Sequence, residues 1–338
     1  MSHAWMPTSP CGDGCLTEDG PTVGLPRRVL RFSCAISVVV AALLTAPLLL
    51  VLRGRGRERL VRTIFRAVLR SFGVKLSVHG GADFLAAPAG RGALVVNNHI
   101  SWLDIVAINA LRPMRALAKV EIGGWPVLGT LVRRGGSIFL DRTRLRTLPG
   151  TMTELAEALR SGSLVNVTPE GTTWCGLASG RFTTATFQAA IDGGVPVRPI
   201  ALRYRLSDGR ETSRPSFVGP ESLIASLRRV AALRGLVLEV HVCPEIAPGR
   251  AEDRRSLAGL AEASVHSALG TVRIPPQRRR RVATTPTGGP AVGAGVGSAA
   301  GARPAVGSAV GAGVGTAAGA RPAVGSAVGA HPVVGSAG

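Results

Sequence analysis

The sequence predicts an α/β domain over residues 74–275, with a largely parallel sheet flanked by helices. Two observations carry this. From Val74 onward, short apolar runs rich in β-branched residues alternate with stretches of helical period, the order of βαβ units. The polar clusters fall where the apolar runs end, and open parallel sheets gather function at the carboxyl ends of their strands. Strands are predicted at Val74–Val78, Ala93–Val96, Met114–Ala118, Ser137–Leu140, Ser163–Val167, Val195–Arg203 and Leu236–Val242. Helices are predicted at Trp102–Leu111, Trp125–Arg134, Leu145–Arg160, Thr184–Asp192, Leu223–Arg234 and Arg255–Leu269.

Ahead of the domain, residues 1–31 are polar and rich in Gly and Pro, the composition of a disordered leader. Residues 32–52 are uncharged and long enough for a transmembrane helix, although Pro47 also allows a re-entrant hairpin. The arginine flank is heavier after this stretch, at 53, 55, 57, 59, 62, 66 and 70, than before it, where Arg27, Arg28 and Arg31 stand. That places the α/β domain on the cytoplasmic face of the cell membrane and the amino terminus outside. In residues 53–73, Leu60, Val61, Ile64, Phe65, Val68, Leu69 and Phe72 share one half of a helical wheel. Arg59, Arg62, Arg66 and Arg70 share the other, making a basic amphipathic helix for an anionic interface or for the domain's own surface. Residues 276–338 are almost all Ala, Gly, Val, Pro, Ser and Thr and repeat GARPAVGSAVGA, a tail expected to be disordered.

The 338 residues carry a net charge of +20, which suits an anionic partner. A lipid surface fits better than nucleic acid, because the chain has one tyrosine and no zinc-finger or aromatic-studded RNA-binding signature. Five cysteines at 11, 15, 34, 175 and 243 form neither a CxxC pair nor a disulfide framework, so no metal is expected.

Four clusters carry candidate chemistry. Asn97-Asn98-His99-Ile100-Ser101-Trp102-Leu103-Asp104 follows the second strand. A strand-end histidine with a carboxylate five residues on can form a base–orienter pair. Taken alone, Ser101-x-x-Asp104 reads as a helix-capping box. Gly136-Ser-Ile-Phe-Leu-Asp141-Arg142 ends in a charged pair that also reads as a surface ion pair. Thr168-Pro169-Glu170-Gly171-Thr172-Thr173 also reads as an ordinary turn. Val195-Pro196-Val197-Arg198-Pro199-Ile200 is a strand with two prolines, predicted near a sheet edge.

Together, in this order, the clusters resemble the glycerolipid acyltransferase superfamily, of the 1-acylglycerol-3-phosphate acyltransferase type. That family's pattern runs N-H-x-S-x-x-D, G-x-I-F-I-D-R, F-P-E-G-T-R-S and V-P-V-x-P-V, matched here between about Phe65 and Arg205. The resemblance implies a membrane enzyme that moves an acyl group from acyl-CoA or acyl-carrier protein to the sn-2 hydroxyl of 1-acylglycerol-3-phosphate, giving phosphatidic acid. It implies His99 as general base and Asp104 as its orienter, with no cofactor and no acyl-enzyme, leaving Ser101 as a helix cap. Arg142 is implied as a phosphate contact, joined by Lys119, and Glu170, Gly171 and Thr172 as the segment shaping the acceptor site. A backbone N–H near Gly171 is a further candidate, for the oxyanion.

Two positions depart from the pattern. Thr168 stands where the family has Phe, and Thr173 where it has Arg, which removes one expected phosphate ligand. Relatives with Gly-Thr-Thr include acyltransferases of lyso-ornithine lipid, so that acceptor, or another lysolipid, is the alternative. Arg181, Arg203 and Arg205 are candidate replacements for the missing charge. A non-catalytic basic membrane scaffold is the remaining reading, opposed by the intact set His99, Asp104, Arg142 and Glu170.

Overall fold

The computed structural model describes residues 6–16, 20–82, 84 and 90–270; the low-complexity tail lies outside the described residues. The elements in order are α1 (Leu25–Thr45), α2 (Gly54–Ser71), β1 (Lys75–His79), β2 (Ala93–Asn97), α3 (Leu103–Leu111), β3 (Arg115–Lys119), α4 (Pro126–Arg134), β4 (Ile138–Leu140), α5 (Leu148–Arg160), β5 (Leu164–Val167), α6 (Ala185–Gly193), β6 (Val197–Leu206), α7 (Leu223–Ala232), β7 (Leu236–Val242) and α8 (Arg254–Leu269). Single helical turns at Leu48–Val51 and Val120–Gly123 join some of them.

One seven-stranded sheet runs in the order β1-β7-β6-β2-β5-β3-β4. Every pairing is parallel except β6 with β7. Strand β2, Ala-Leu-Val-Val-Asn, is buried at all five positions, as a parallel strand covered on both faces must be. Its side chains alternate between two cores. Leu94 and Val96 join Leu155, Leu159, Phe187 and Val265 on one face. Val95 joins Leu69, Leu103, Ile108 and Val230 on the other. Each such side chain contributes about 1.5–3 kcal/mol on burial, so the strand that delivers His99 is among the least movable parts of the molecule.

The proline-bearing strand is not at an edge. β6 lies between β7 and β2. Pro199 is tolerated because the ladder to β7 begins one residue later, at the Ile200–Val242 pair. At Pro199 itself only the carbonyl is used, accepting the Cys243 N–H at 3.0 Å.

The start of the chain also differs from expectation. The long apolar helix is Leu25–Thr45, not 32–52, because Pro26 opens it and Pro47 follows its end. Arg31, predicted as a flanking charge, is buried and donates to the carbonyls of Ala231 and Leu233 at 2.8 and 2.6 Å. The described part of the leader is not disordered. Val23 N–H donates to Ala232 C=O at 2.8 Å, Arg234 N–H to Pro21 C=O at 2.7 Å, and Cys11 is buried.

The same contacts overturn the expectation that leader and domain lie on opposite sides of a membrane. The helix α1 packs on α2, and Phe32 near the start of α1 meets Phe72 at the end of α2, centroids 6.2 Å apart. Both ends of the pair therefore return to the domain, as in the hairpin alternative. The turn between the helices sits about 30 Å away along a 21-residue helix. The helix α1 is long and apolar enough to cross a bilayer, with mean hydropathy 1.8, and Ile36, Val40 and Leu44 on it are exposed. In α2 the apolar half, with Phe65, Val68 and Leu69, packs into the domain, while Arg55, Arg57, Arg59 and Arg70 face out and Arg66 reaches across to donate to Ala110 C=O at 3.0 Å.

Candidate active site

The parallel strands β2, β5, β3 and β4 are neighbours, so their carboxyl ends share one edge of the sheet. That edge collects His99 after β2, Glu170 after β5, Lys119 at the end of β3 and Arg142 after β4.

The loop that carries His99 is tied down before and after it. Asn98 forms a two-way amide pair with the backbone of Leu202, Nδ2 donating at 2.9 Å and Oδ1 accepting at 2.8 Å. Asn97 Oδ1 accepts from Asn166 Nδ2 at 2.8 Å, linking β2 to β5. The His99 carbonyl accepts from Trp174 N–H at 2.8 Å.

His99 Nδ1 lies 2.9 Å from Asp104 Oδ2. The same oxygen accepts the N–H groups of Ile100 at 2.6 Å and Ser101 at 2.9 Å. The capping reading and the orienter reading therefore describe one carboxylate doing both. It closes the turn that opens α3 and fixes the imidazole. Asp104 is fully buried and its other oxygen accepts the Tyr204 hydroxyl at 2.6 Å. Burial and the adjacent Asp104 charge hold the Tyr204 hydroxyl protonated, well above the usual phenol range. The imidazole is 21% exposed, which leaves Nε2 as the nitrogen for a ligand. Ser101 is fully buried, as suits a helix-opening residue rather than a nucleophile.

Glu170 does not sit in an open acceptor site. It is 4% exposed; Oε2 accepts the His99 N–H at 2.5 Å, and Oε1 accepts from Ser179 Oγ at 2.6 Å and Gly180 N–H at 2.9 Å. Burial pushes its carboxyl up to about 8, with Asp104 adding to the rise and these donors opposing it. The P-E-G turn thus acts from behind, setting the backbone of the histidine. Gly171 has φ of +75°, a conformation glycine adopts freely, and an added Cβ would meet Pro7 Cγ at 2.5 Å. Its N–H is used within the turn, donating to Thr168 C=O at 3.0 Å, which removes it as an oxyanion donor.

Arg142 donates to the Gly171 carbonyl and so spans from β4 to the P-E-G turn. Lys119, paired in register with Leu140, stands on the neighbouring strand and is exposed. Thr172 is half-buried beside Thr173, whose hydroxyl donates to Phe217 C=O. The candidate replacement charges are engaged or outward. Arg203 and Arg205 bridge to Glu211 and Glu239, and Arg181 is exposed.

Sequence reasoning missed Tyr204 and Ser179. The one available signal for the first was that Tyr204 is the chain's single tyrosine, placed in a strand that the motif set already included.

A buried carboxylate–imidazole pair at the end of a parallel strand, with cations along the same edge, is an arrangement for proton abstraction beside an anionic group. The comparisons agree on the class. A family model described as Acyltransferase matches residues 76–203. The chain is 35% identical over 214 residues to the 1-acyl-sn-glycerol-3-phosphate acyltransferase of Neisseria meningitidis serogroup B, covering 63% of this chain and 82% of that one. It is 33% identical over 229 residues to the lyso-ornithine lipid O-acyltransferase of Pseudomonas aeruginosa, covering 66% and 83%. The crystal structure of the lysophosphatidic acid acyltransferase PlsC from Thermotoga maritima shares the fold, with TM-score 0.57, 18% identity, and coverage of 72% of this chain and 94% of that one. The fold and these matches define an acyltransferase. The chain belongs to the family of lysophosphatidic acid and related lysolipid acyltransferases.

Proposed function

We propose that this chain acylates the free sn-2 hydroxyl of 1-acylglycerol-3-phosphate, giving phosphatidic acid, with acyl-CoA or acyl-carrier protein as donor. The observation that carries the reading is the 2.9 Å contact between His99 Nδ1 and a fully buried Asp104. With Nδ1 held, Nε2 takes the hydroxyl proton while the alkoxide oxygen attacks the thioester carbonyl. The C–S bond breaks as the new C–O bond is completed, and the imidazolium returns its proton to the departing thiolate. Asp104 stabilises that imidazolium without accepting a proton itself. Arg142 and Lys119, on adjacent strand ends, supply the positive field for the acceptor's phosphate. The α1–α2 hairpin enters the cytoplasmic leaflet of the cell membrane, its exposed apolar face in the acyl layer and its arginines at the headgroups.

The second reading is acylation of lyso-ornithine lipid. It is favoured by Thr173, whose hydroxyl is spent on Phe217 C=O, and by the Pseudomonas relative. The test is purified full-length enzyme with a panel of lysolipids and both donor types, products identified by mass. Phosphatidic acid as the main product supports the first reading. Acylation of lyso-ornithine lipid with lysophosphatidic acid left untouched rejects it.

A further inference from the structure

Three of the five cysteines meet in space although the sequence separates them. Cys11, Cys15 and Cys175 have Sγ atoms that all lie within 4.8 Å of one another. The first two come from the leader, where one 3-10 turn at Asp13–Cys15 folds the C-x-x-x-C segment back on itself. The third follows Glu170 by five residues, on the loop that leaves the P-E-G turn. Cys11 and Cys175 are buried beside Trp174 and Val218, and Cys15 is half-buried. The backbone is held at both sides: Ser213 Oγ donates to Cys15 C=O at 2.7 Å and Ser216 Oγ to Cys175 C=O at 2.9 Å.

Buried cysteine is often only a small hydrophobe, but packing has no need to aim three thiols at one point. A disulfide would use two sulfurs and strand the third. Three converging sulfurs match a soft, tetrahedral cation, whose sulfur ligands stand about 3.8 Å apart for metal–sulfur bonds of about 2.3 Å. Closing a triangle with edges of at most 4.8 Å to that size needs only small side-chain rotations.

We propose that Cys11, Cys15 and Cys175 bind one Zn²⁺ ion that staples the leader onto the loop behind the P-E-G turn. Binding releases the three thiol protons to solvent and leaves three thiolates on the ion. A fourth donor, water or a small solvent anion, completes the tetrahedron from the side of half-buried Cys15. With one position left to solvent the site is open rather than the closed four-ligand type, and its role is to join two segments. It secures the segment whose Pro7 covers Gly171, and so bears on the turn that holds the His99 backbone without touching substrate.

The test uses the full-length chain purified in detergent under reducing, chelator-free conditions, with metal content measured by mass spectrometry. About one zinc per chain is expected, lost in Cys15→Ser and in Cys11→Ser, and kept in Cys34→Ser and Cys243→Ser. Cys15 is half-buried, so its serine variant tests the ligand without emptying the core. Replacing zinc by Co²⁺ should give thiolate-to-metal charge-transfer absorption in the wild type and none in Cys15→Ser. Chelation should speed amide exchange across residues 6–16. A zinc-free chain with three titratable thiols at these positions would overturn the proposal. So would a Cys11–Cys175 disulfide, seen as a peptide pair lighter by two hydrogens, or zinc that persists in Cys15→Ser.

Discussion

Tyr204 and His99 hold opposite oxygens of one buried carboxylate: the phenol donates to Asp104 Oδ1 at 2.6 Å, and the imidazole nitrogen lies 2.9 Å from Oδ2. On the proposed mechanism, the phenol anchors the group that orients the base. Tyr204→Phe leaves Oδ1 buried with that donor gone, a cost of about 1–3 kcal/mol. We expect kcat to fall about tenfold with KM little changed, since the hydroxyl acts on the orienter and not on substrate. An unaltered kcat in Tyr204→Phe would show that the turn N–H groups alone suffice to hold Asp104.

His99→Ala should lower turnover by about 10²–10⁴-fold, the usual worth of a positioned base, with expression and membrane association retained. Asp104→Asn should approach it. With its oxygen in the Oδ2 position the amide accepts from Ile100 and Ser101 N–H but sets its NH₂ against the Tyr204 phenol; flipped, it sets the NH₂ against both N–H groups and the imidazole. Retention of more than about a tenth of wild-type turnover by His99→Ala, under conditions where chemistry limits the rate, would reject this mechanism.

Glu170 makes a pH-dependent prediction. Its carboxyl is raised from about 4.5 to about 8 by burial, so the folded state binds its proton more tightly than the unfolded chain. The stability this group confers is full below pH 4.5, declines as pH rises toward 8, and levels off above it. Glutamine does not titrate, so the margin of wild type over Glu170→Gln should narrow across that window. Glutamine also turns an NH₂ toward either His99 N–H or Gly180 N–H, both of which now donate to the carboxylate. Turnover of Glu170→Gln should therefore fall while circular dichroism stays native. Thermal unfolding of both proteins across pH 4–9 measures the margin, and a gap that widens with pH would contradict a raised carboxyl.

Much of this was legible in the chain because it was local. Six of the seven strands end within one residue of their predicted ends, while β6 runs three residues further, to Leu206, and the His–Asp contact spans five residues. What stayed hidden was long-range. Tyr204 lies 100 positions from Asp104, and Cys175 reaches the leader cysteines only through the fold. A spacing rule therefore found no cluster among cysteines that do converge. The apolar helix was misplaced toward the carboxyl side because Arg27, Arg28 and Arg31 read as a flank. Arg31 is instead absorbed by two backbone carbonyls, which a hydropathy window does not register.

The hairpin reading is tested on its exposed face. Ile36 and Leu44 are 62% and 76% exposed, and neither supports the domain core. Replacing both with Asp should move the protein from vesicles to the supernatant, because each charge in the acyl layer costs about 2.5–3.5 kcal/mol. Thermal unfolding in detergent should stay unchanged. Vesicle binding equal to wild type would mean that the arginine face of α2 suffices.

On the proposed reading, the acceptor is decided by two positions on the same sheet edge. Arg142 bridges to the Gly171 carbonyl and lies one strand over from exposed Lys119, so two cations face the end of β3 and β4. Thr173 contributes no charge, and its hydroxyl is turned to Phe217 C=O. A charge-assisted contact is worth about 1.5–3 kcal/mol, so its loss weakens phosphate binding about 10- to 150-fold, yet two remaining cations still favour a phosphate monoester over a neutral headgroup. Arg142→Ala should therefore raise KM for lysophosphatidic acid by more than about tenfold and leave that of a phosphate-free lysolipid nearly unchanged. Thr173→Arg gives up the hydroxyl bond to Phe217 but restores a cation beside the turn, and should lower KM for lysophosphatidic acid. Steady-state kinetics on both acceptors decide the matter. If wild type prefers lyso-ornithine lipid and Thr173→Arg is neutral or harmful, the pocket is built for an aminolipid, and the threonine is what adapts it.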